Sequence, residues 1–251
     1  INIVLKKNKL LGFNGMLSNN LASGDLRTGN FGEGNLSLSY RNGNINVFGT
    51  YNARYLEGFR NNYNDIIQGE GSNVFILDQN RVGSDLDAGQ TFRVGTDINL
   101  NQRNTMGFIF TGATGQRDRT GKLWNGQLDT NGQVIDLWSR YAVDPSNRTN
   151  YDFSFNFKHD FKDNRGNLML DANQSIGEEH TQGYYTNTYY TPDTVELNQA
   201  KIEQQLFNID KNLITTAQAD LTYLFPDLGI RTEAGLKAIL RDQLVDTYSE
   251  S

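Results

Sequence analysis

Apolar and polar residues alternate along much of this chain with a period of two. The clearest run, Tyr-Asp-Phe-Ser-Phe-Asn-Phe-Lys at residues 151–158, places four aromatic side chains opposite four polar ones. Successive side chains of a β-strand point to opposite faces of its sheet, so this pattern indicates a strand with one apolar and one polar face. Similar alternation at 46–55, 92–100, 168–173 and 216–223 predicts an all-β protein.

The alternating runs and the turn-forming residues between them predict about nine strands of an antiparallel up-and-down sheet. The predicted strands are 11–22, 33–41, 45–57, 89–100, 105–115, 150–161, 167–179, 214–225 and 230–245. The predicted connections are short turns at 42–44, 101–104, 162–166 and 226–229, and long loops at 23–32, 58–88, 116–149 and 180–213. The long loops need not be disordered, since residues 133–143 could extend a hairpin beyond the membrane. Short turns at one end and long loops at the other are typical of an outer-membrane β-barrel, with its turns in the periplasm and its loops outside the cell.

These connections favour a membrane barrel over a soluble β-sandwich. Alternation alone does not separate the two folds, because the apolar faces meet a second protein layer in a sandwich and meet lipid in a barrel. Structureless loops of about 30 residues are uncommon in compact soluble domains. Strands of about 11 residues also match a tilted bilayer crossing. We therefore expect a transmembrane barrel, and a soluble secreted β-sandwich is the alternative.

The composition excludes several other classes of protein. Of the 251 residues, 23 are Lys or Arg and 29 are Asp or Glu, which gives a formal net charge of −6. Proteins that bind nucleic acid normally carry a basic face, so we expect no nucleic-acid partner. The chain has no cysteine and two histidines, which leaves little for a zinc site or a catalytic triad. We expect no catalysis, no cofactor and no metal.

The beginning of the sequence resembles a known junction. Residues 1–8, Ile-Asn-Ile-Val-Leu-Lys-Lys-Asn, and the Gly-Phe-Asn-Gly that follows at 12–15 look like the plug-to-barrel junction of TonB-dependent outer-membrane receptors. The chain most resembles the Bacteroidetes-type outer-membrane β-barrel proteins of that superfamily. Further similar segments are found at 95–107, 155–161, 164–170 and 230–237.

This resemblance implies a domain arrangement and a function. Residues 1–8 correspond to the last plug strand or junction, and residues 11–251 to the first part of a transmembrane β-barrel. Large outer-membrane transporters have about 22 strands around a plugged lumen, so nine strands imply that a plug and further strands complete the protein. The implied location is the bacterial outer membrane, with lipid, the plug, the rest of the barrel and TonB as partners. The implied activity is TonB-dependent uptake of a scarce solute: an iron chelate, cobalamin, a glycan or a peptide.

A barrel of this kind also suits a protein that transports nothing. If the plug never moves, the protein serves as a surface scaffold or in adhesion. The feature that separates the two functions is a TonB box ahead of the plug.

Charged residues on the polar faces of the predicted strands form the main site hypothesis. A charge facing lipid costs roughly 2–4 kcal/mol near the bilayer midplane. We therefore expect these side chains to face the lumen, where they pair with one another, hold a plug or line a solute path. The predicted lumen-facing residues are Arg54, Arg93, Asp97, Asp152, Lys158, Asp171, Asp220, Glu233, Lys237 and Arg241.

Aromatic residues in the fourth predicted long loop form a second hypothesis. Two tyrosine pairs, Tyr184 with Tyr185 and Tyr189 with Tyr190, fall within seven residues of sequence. Exposed aromatic side chains stack on sugars or anchor peptides, so these four tyrosines are candidate ligand-binding residues. The alternatives are a loop that packs on itself or an upward extension of the strand hairpin.

Overall fold

The computed structural model describes residues 12–24, 29–70, 74–199 and 201–250, which form one antiparallel sheet. Each strand pairs with its neighbours in the chain, so the order across the sheet is β1 to β9. The strands are β1 (Gly12–Ser23), β2 (Asn30–Asn42), β3 (Ile45–Gln68), β4 (Phe75–Asn99), β5 (Asn104–Leu128), β6 (Val134–Asp160), β7 (Gly166–Tyr190), β8 (Ile202–Phe225) and β9 (Ile230–Glu250). The predicted all-β, up-and-down architecture is confirmed. The junction predicted at residues 1–8 lies outside the described residues.

Three of the predicted long loops are wrong. Most of residues 58–88, 116–149 and 180–213 continues the flanking strands, and β3 to β8 are 24 to 27 residues long. The strands of these hairpins end at Gln68, Leu128 and Tyr190 and resume at Phe75, Val134 and Ile202. The extensions carry polar residues on both faces, so they lack the alternation that marks a strand in the sequence. Backbone pairing does not need that alternation once a hairpin has started.

The four predicted short turns are confirmed, and they all lie at one end of the sheet, here called the turn end. Gly43 has φ +54° between β2 and β3, a left-handed conformation that favours glycine in tight hairpins. Asp163 and Asn164 have φ of +58° and +56° between β6 and β7. Short 3₁₀ turns at Lys162–Asn164 and Pro226–Leu228 complete this end. No helix within the described residues is long and apolar enough to cross a membrane.

The register defines two chemically different faces. Residues paired directly across antiparallel strands share a face, and one such row joins Arg93, Thr111, Asp152 and Ser175. We call the side of this row the polar face and the opposite side the apolar face. The pairing of β5 with β6 shifts once, at Leu128, so the assignment holds along the strands on the turn side of that position.

The turn-side half of the apolar face is a continuous hydrophobic surface, the apolar belt. Its residues include Val47, Tyr51, Phe92, Val94, Phe108, Phe110, Phe153, Phe155, Leu168, Leu170, Ala172, Ala219, Leu221 and Leu236. Neighbouring rings pack on one another, with 4.8 Å between the ring centres of Phe110 and Phe153. No second layer covers the belt, since Phe153 is 47% exposed and no hydrophobic side chain among the described residues is buried.

Charged side chains are absent from the belt and appear on the same face farther from the turns. On β3 the first is Glu57, on β7 it is Glu178, and on β9 it is Asp242. Each is preceded by a stretch of 12 residues counted from the turn end, at 45–56, 166–177 and 230–241. A tilted strand crosses the hydrocarbon core of a bilayer in about 9–11 residues, so the belt has the height of one crossing.

Candidate binding site on the polar face

All ten residues predicted to face a lumen lie on the polar face. Arg93 and Asp152 are in one row through Thr111, and the row continues through Ser175 and Ile214 to Arg241. Asp171 and Lys237 both flank Gln218 in a second row. The others share this face by the same register: Arg54, Asp97, Lys158, Asp220 and Glu233. That the face encloses a lumen remains a prediction.

Several of these charged groups are held by near neighbours. Asp97 accepts a hydrogen bond of 3.3 Å from the Asn46 side chain. Lys158 Nζ lies 2.8 Å from Asp160 Oδ1. The Arg93 guanidinium carbon lies 5.9 Å from the centre of the Phe48 ring, a cation–π contact. Local pairing of this kind fixes side-chain positions along the polar face.

A pocket of about 350 Å³ lies on the polar face, in the half of the sheet beyond the belt. Four arginines from four adjacent strands surround it: Arg60 of β3, Arg81 of β4, Arg119 of β5 and Arg140 of β6. We call it the arginine pocket. Tyr185 closes one side, and its ring centre lies 4.2 Å from the guanidinium carbon of Arg140.

The floor of the arginine pocket is made of small residues. Gly83, Gly121 and Ala142 are paired side by side across β4, β5 and β6, and Arg60 and Tyr185 end the same row. A Cβ atom at Gly83 would clash with the backbone carbonyl oxygen of Thr120. Gly121 and Ala142 line the pocket with no side chain larger than a methyl group, which leaves the space that the arginines surround.

Carboxylates balance only part of this charge. Arg60 Nη2 lies 2.8 Å from Asp85 Oδ1, and Arg119 Nε lies 3.8 Å from the same oxygen. Asp144 also lines the pocket, beside Tyr185. The Asp85 and Asp144 carboxylates therefore offset half of the four positive charges.

The four candidate tyrosines do not form one loop site. All four lie in β7, so the predicted loop is wrong, and strand alternation sends them to opposite faces. Tyr185 and Tyr189 are on the polar face, where Tyr185 borders the arginine pocket. Tyr184 and Tyr190 are on the apolar face, outside the belt. The upward hairpin extension, one of the two alternatives, describes this segment.

Tyr190 belongs to a separate cluster on the apolar face. Its ring centre lies 4.9 Å from that of Trp124, and Lys122 Nζ lies 4.1 Å from the Trp124 ring centre. Its hydroxyl accepts a hydrogen bond from Lys122 at 3.4 Å and lies 3.1 Å from Ser139 Oγ. These contacts satisfy the polar groups of Tyr190 and give it a structural role.

Asp129 organises the hairpin tip between β5 and β6. Its Oδ1 accepts hydrogen bonds of 2.8 Å from the backbone N–H groups of Gln133 and Asn131. These bonds, with that from Gln133 the strongest, hold the pKa of the Asp129 carboxyl below its usual range, because they stabilise the ionised form. Hydrogen bonds from a side chain to the nearby backbone stabilise a short turn that has no buried apolar residues of its own.

The arginine pocket was missed by the sequence analysis because its residues were expected in loops. Once residues 58–88 and 116–149 are read as continuing strands, the four arginines fall on the same side of those strands as Arg54, Arg93 and Asp152. Following odd and even residue numbers along these strands, without a break, is therefore the signal that would have found the arginine pocket. Within the described part of the chain, no three His, Cys, Asp or Glu side chains are grouped to hold a metal ion.

Comparison with known proteins gives no assignment. No protein-family model matches the sequence, and no curated protein is significantly similar to it.

Proposed function

We propose that the chain is the first part of a transmembrane β-barrel of the TonB-dependent receptor superfamily, located in the bacterial outer membrane. The whole protein would take up a scarce solute, and the polar face of this sheet would line the lumen. The observation that carries the proposal is the apolar belt: one crossing high, free of Asp, Glu, Lys and Arg, and exposed to the surroundings.

The belt is difficult to explain in water. A contiguous apolar surface that spans β3 to β9 marks a protein interface or a membrane contact, since monomeric soluble proteins expose much smaller patches. A soluble β-sandwich would cover the belt with a second sheet and leave the charged face in water, but the described residues form no second layer. Lipid covers the belt without any further protein.

The aromatic side chains at the turn end fit the same orientation. Phe161 lies 5.1 Å from His159 and 5.3 Å from Tyr223, measured between ring centres, and Phe225 continues the group at 4.8 Å from Tyr223. Rings with a polar group prefer the boundary between hydrocarbon and water. This group therefore supports placing the short turns at a bilayer interface, and the resemblance to the receptor superfamily makes that interface the periplasmic one.

The two outer strands of the sheet support a larger barrel. Among the described residues, β1 pairs with β2 alone and β9 with β8 alone, and every residue of both strands is exposed. Each unpaired backbone group in hydrocarbon costs several kcal/mol, so a sheet in lipid has to close. The proposal assigns the missing pairing partners to further barrel strands and the lumen contents to a plug.

The test of the membrane orientation uses tryptophan as a depth and face reporter in the full-length protein. Trp124, Trp138 and any other tryptophans are replaced by Phe, and a single tryptophan is then introduced as Phe153→Trp or Ser154→Trp. These neighbours lie on opposite faces of β6. In vesicles with brominated acyl chains, we expect strong quenching of fluorescence for Phe153→Trp and little for Ser154→Trp. Equal quenching, or none in either variant, contradicts the proposed orientation.

The test of transport uses cells with and without TonB. Growth on candidate solutes as the limiting source of iron, cobalamin or carbon should depend on both the protein and TonB. An outer-membrane protein whose loss affects cell adhesion but no TonB-dependent growth would support the scaffold function instead. A protein recovered as a monomer from the soluble fraction without detergent would favour the β-sandwich.

A further inference from the structure

We propose that the arginine pocket binds an oxyanion group of the transported solute, a carboxylate or a phosphate. That the ligand is a transported solute rests on the proposed function. The site itself rests only on the geometry of Arg60, Arg81, Arg119 and Arg140.

The first argument is that the arginines around the pocket have N–H donors without acceptors. Arg81 has no hydrogen bond or ion pair with any described residue, and Arg140 stacks on Tyr185 without a salt bridge. Arg60 Nε is shielded from solvent and has no hydrogen-bond partner among the described residues. Three guanidinium groups around one pocket therefore retain unused N–H donors.

The second argument is the shape of the donors. A guanidinium group presents planar paired N–H donors that match the two oxygens of a carboxylate or the oxygens of a phosphate. Stacking on the Tyr185 ring holds the Arg140 guanidinium in one plane, and Asp85 holds Arg60 in place. Donors that are already oriented lose less conformational entropy when the ligand arrives.

The third argument is space and location. The floor of Gly121 and Ala142 leaves a depression that a small anionic group can enter. The pocket lies beyond the belt, where water rather than hydrocarbon surrounds the sheet in the proposed orientation. Tyr185 and Tyr189 share the polar face on the next strand, so an aromatic surface borders the charged one.

The experiment measures the binding of two probes to the full-length protein in detergent at low ionic strength. Citrate carries carboxylates, tripolyphosphate carries phosphates, and sucrose is the uncharged control. We expect saturable binding of one of the two anions and none of sucrose. The preferred probe distinguishes a carboxylate ligand from a phosphate ligand.

The test variant is Arg81→Gln combined with Arg140→Gln, which removes two of the donors. We expect its affinity for the preferred anion to fall tenfold or more, because each charge-assisted bidentate contact contributes strongly. The control is Arg117→Gln, an arginine on the same face that is paired with Asp87 at 3.2 Å and does not line the pocket. We expect its affinity to stay within twofold of the native value.

Equal losses in the test and control variants would show nonspecific attraction and overturn the proposal. So would the absence of saturable binding, which is expected if carboxylates of the plug fill the pocket. Thermal unfolding of each variant identifies losses of affinity caused by misfolding. Arg81→Lys keeps the positive charge but not the paired N–H donors of the guanidinium group, so it should retain only part of the native affinity.

Failure of this site and failure of the proposed function are distinguishable. The fluorescence quenching of Phe153→Trp and Ser154→Trp does not depend on the arginines. If the quenching pattern holds and anion binding fails, only the pocket assignment is wrong. If anion binding holds and the quenching pattern fails, the pocket binds anions on a sheet that does not face lipid.

Discussion

Arg60 Nη2 donates a hydrogen bond of 2.8 Å to Oδ1 of Asp85, joining residues of β3 and β4 that are 25 positions apart in sequence. The contact exists because the hairpin continues well past the belt and brings Gly58 opposite Asp85. It places one carboxylate beside the arginine pocket and fixes the direction of one of its guanidinium groups.

This ion pair should contribute measurably to the stability of the outer half of the hairpin. In a double-mutant cycle with Arg60→Ala and Asp85→Ala, we expect a coupling free energy of about 0.5–1 kcal/mol. The pair of Arg117 with Asp87 is the comparison, because its arginine side chain is 51% exposed where that of Arg60 is 27% exposed. We expect a weaker coupling there, since solvent screens it more. Unfolding of the full-length protein by urea measures both, and a reversed ranking contradicts the geometry.

Placing a charge in the apolar belt should be far more harmful than placing it one residue away. Ala172 lies in the belt and Asn173 on the polar face of the same strand. We expect Ala172→Arg to lower the free energy of unfolding in lipid vesicles by about 2–4 kcal/mol. Asn173→Arg should change it by less than about 1 kcal/mol, because that side chain faces Ser154 and Thr216. Similar losses in both variants would mean that the belt does not meet hydrocarbon.

The close approach of β4 and β5 beside the arginine pocket should not accept a side chain at Gly83. A Cβ at Gly83 meets the backbone of Thr120 and Gly121, which cannot move aside as a flexible side chain does. We therefore expect Gly83→Ala to destabilise the protein by about 1–3 kcal/mol. The control is Gly58→Ala on the same face of β3, where a Cβ has nothing within 4 Å and the change should be near neutral. Thermal unfolding curves of the two variants test the difference, and a stable Gly83→Ala variant would count against the close strand approach seen here.

The hairpin tip at Asp129 should respond to acid. The folded pKa of this carboxyl lies below its unfolded value, so its stabilising contribution is complete above about pH 4 and is lost as the pH falls through the lower folded value. We expect the amide resonances of Asn131 and Gln133 to shift together on acidification below about pH 4. Asp129→Asn keeps an acceptor oxygen without a titrating group, so those resonances should stay constant in that variant. A shift that persists in Asp129→Asn would assign the titration to another group.

The sequence by itself determined the class of the fold, the strand order and the division of the turn-side half of the sheet into an apolar and a polar face. Alternation in segments such as residues 151–158 survives unchanged in the structure, because a strand allows its side chains only two directions. The short turns were equally readable, since Gly43 and the residues at 163–164 suit left-handed backbone. The register places the ten charged residues on one face for the same reason, and their lumen-facing role stays a prediction.

Only the tertiary structure decided how far the hairpins reach and what they bring together. Residues 58–88 and 116–149 are polar on both sides, and their strands are held by backbone pairing with a neighbour that no local pattern reveals. The arginine pocket depends on that pairing, since Arg60, Arg81, Arg119 and Arg140 come from four strands. The separation of Tyr185 from Tyr190 depends on this pairing as well, because a side chain can be assigned to one face of the sheet only when its residue is part of a strand.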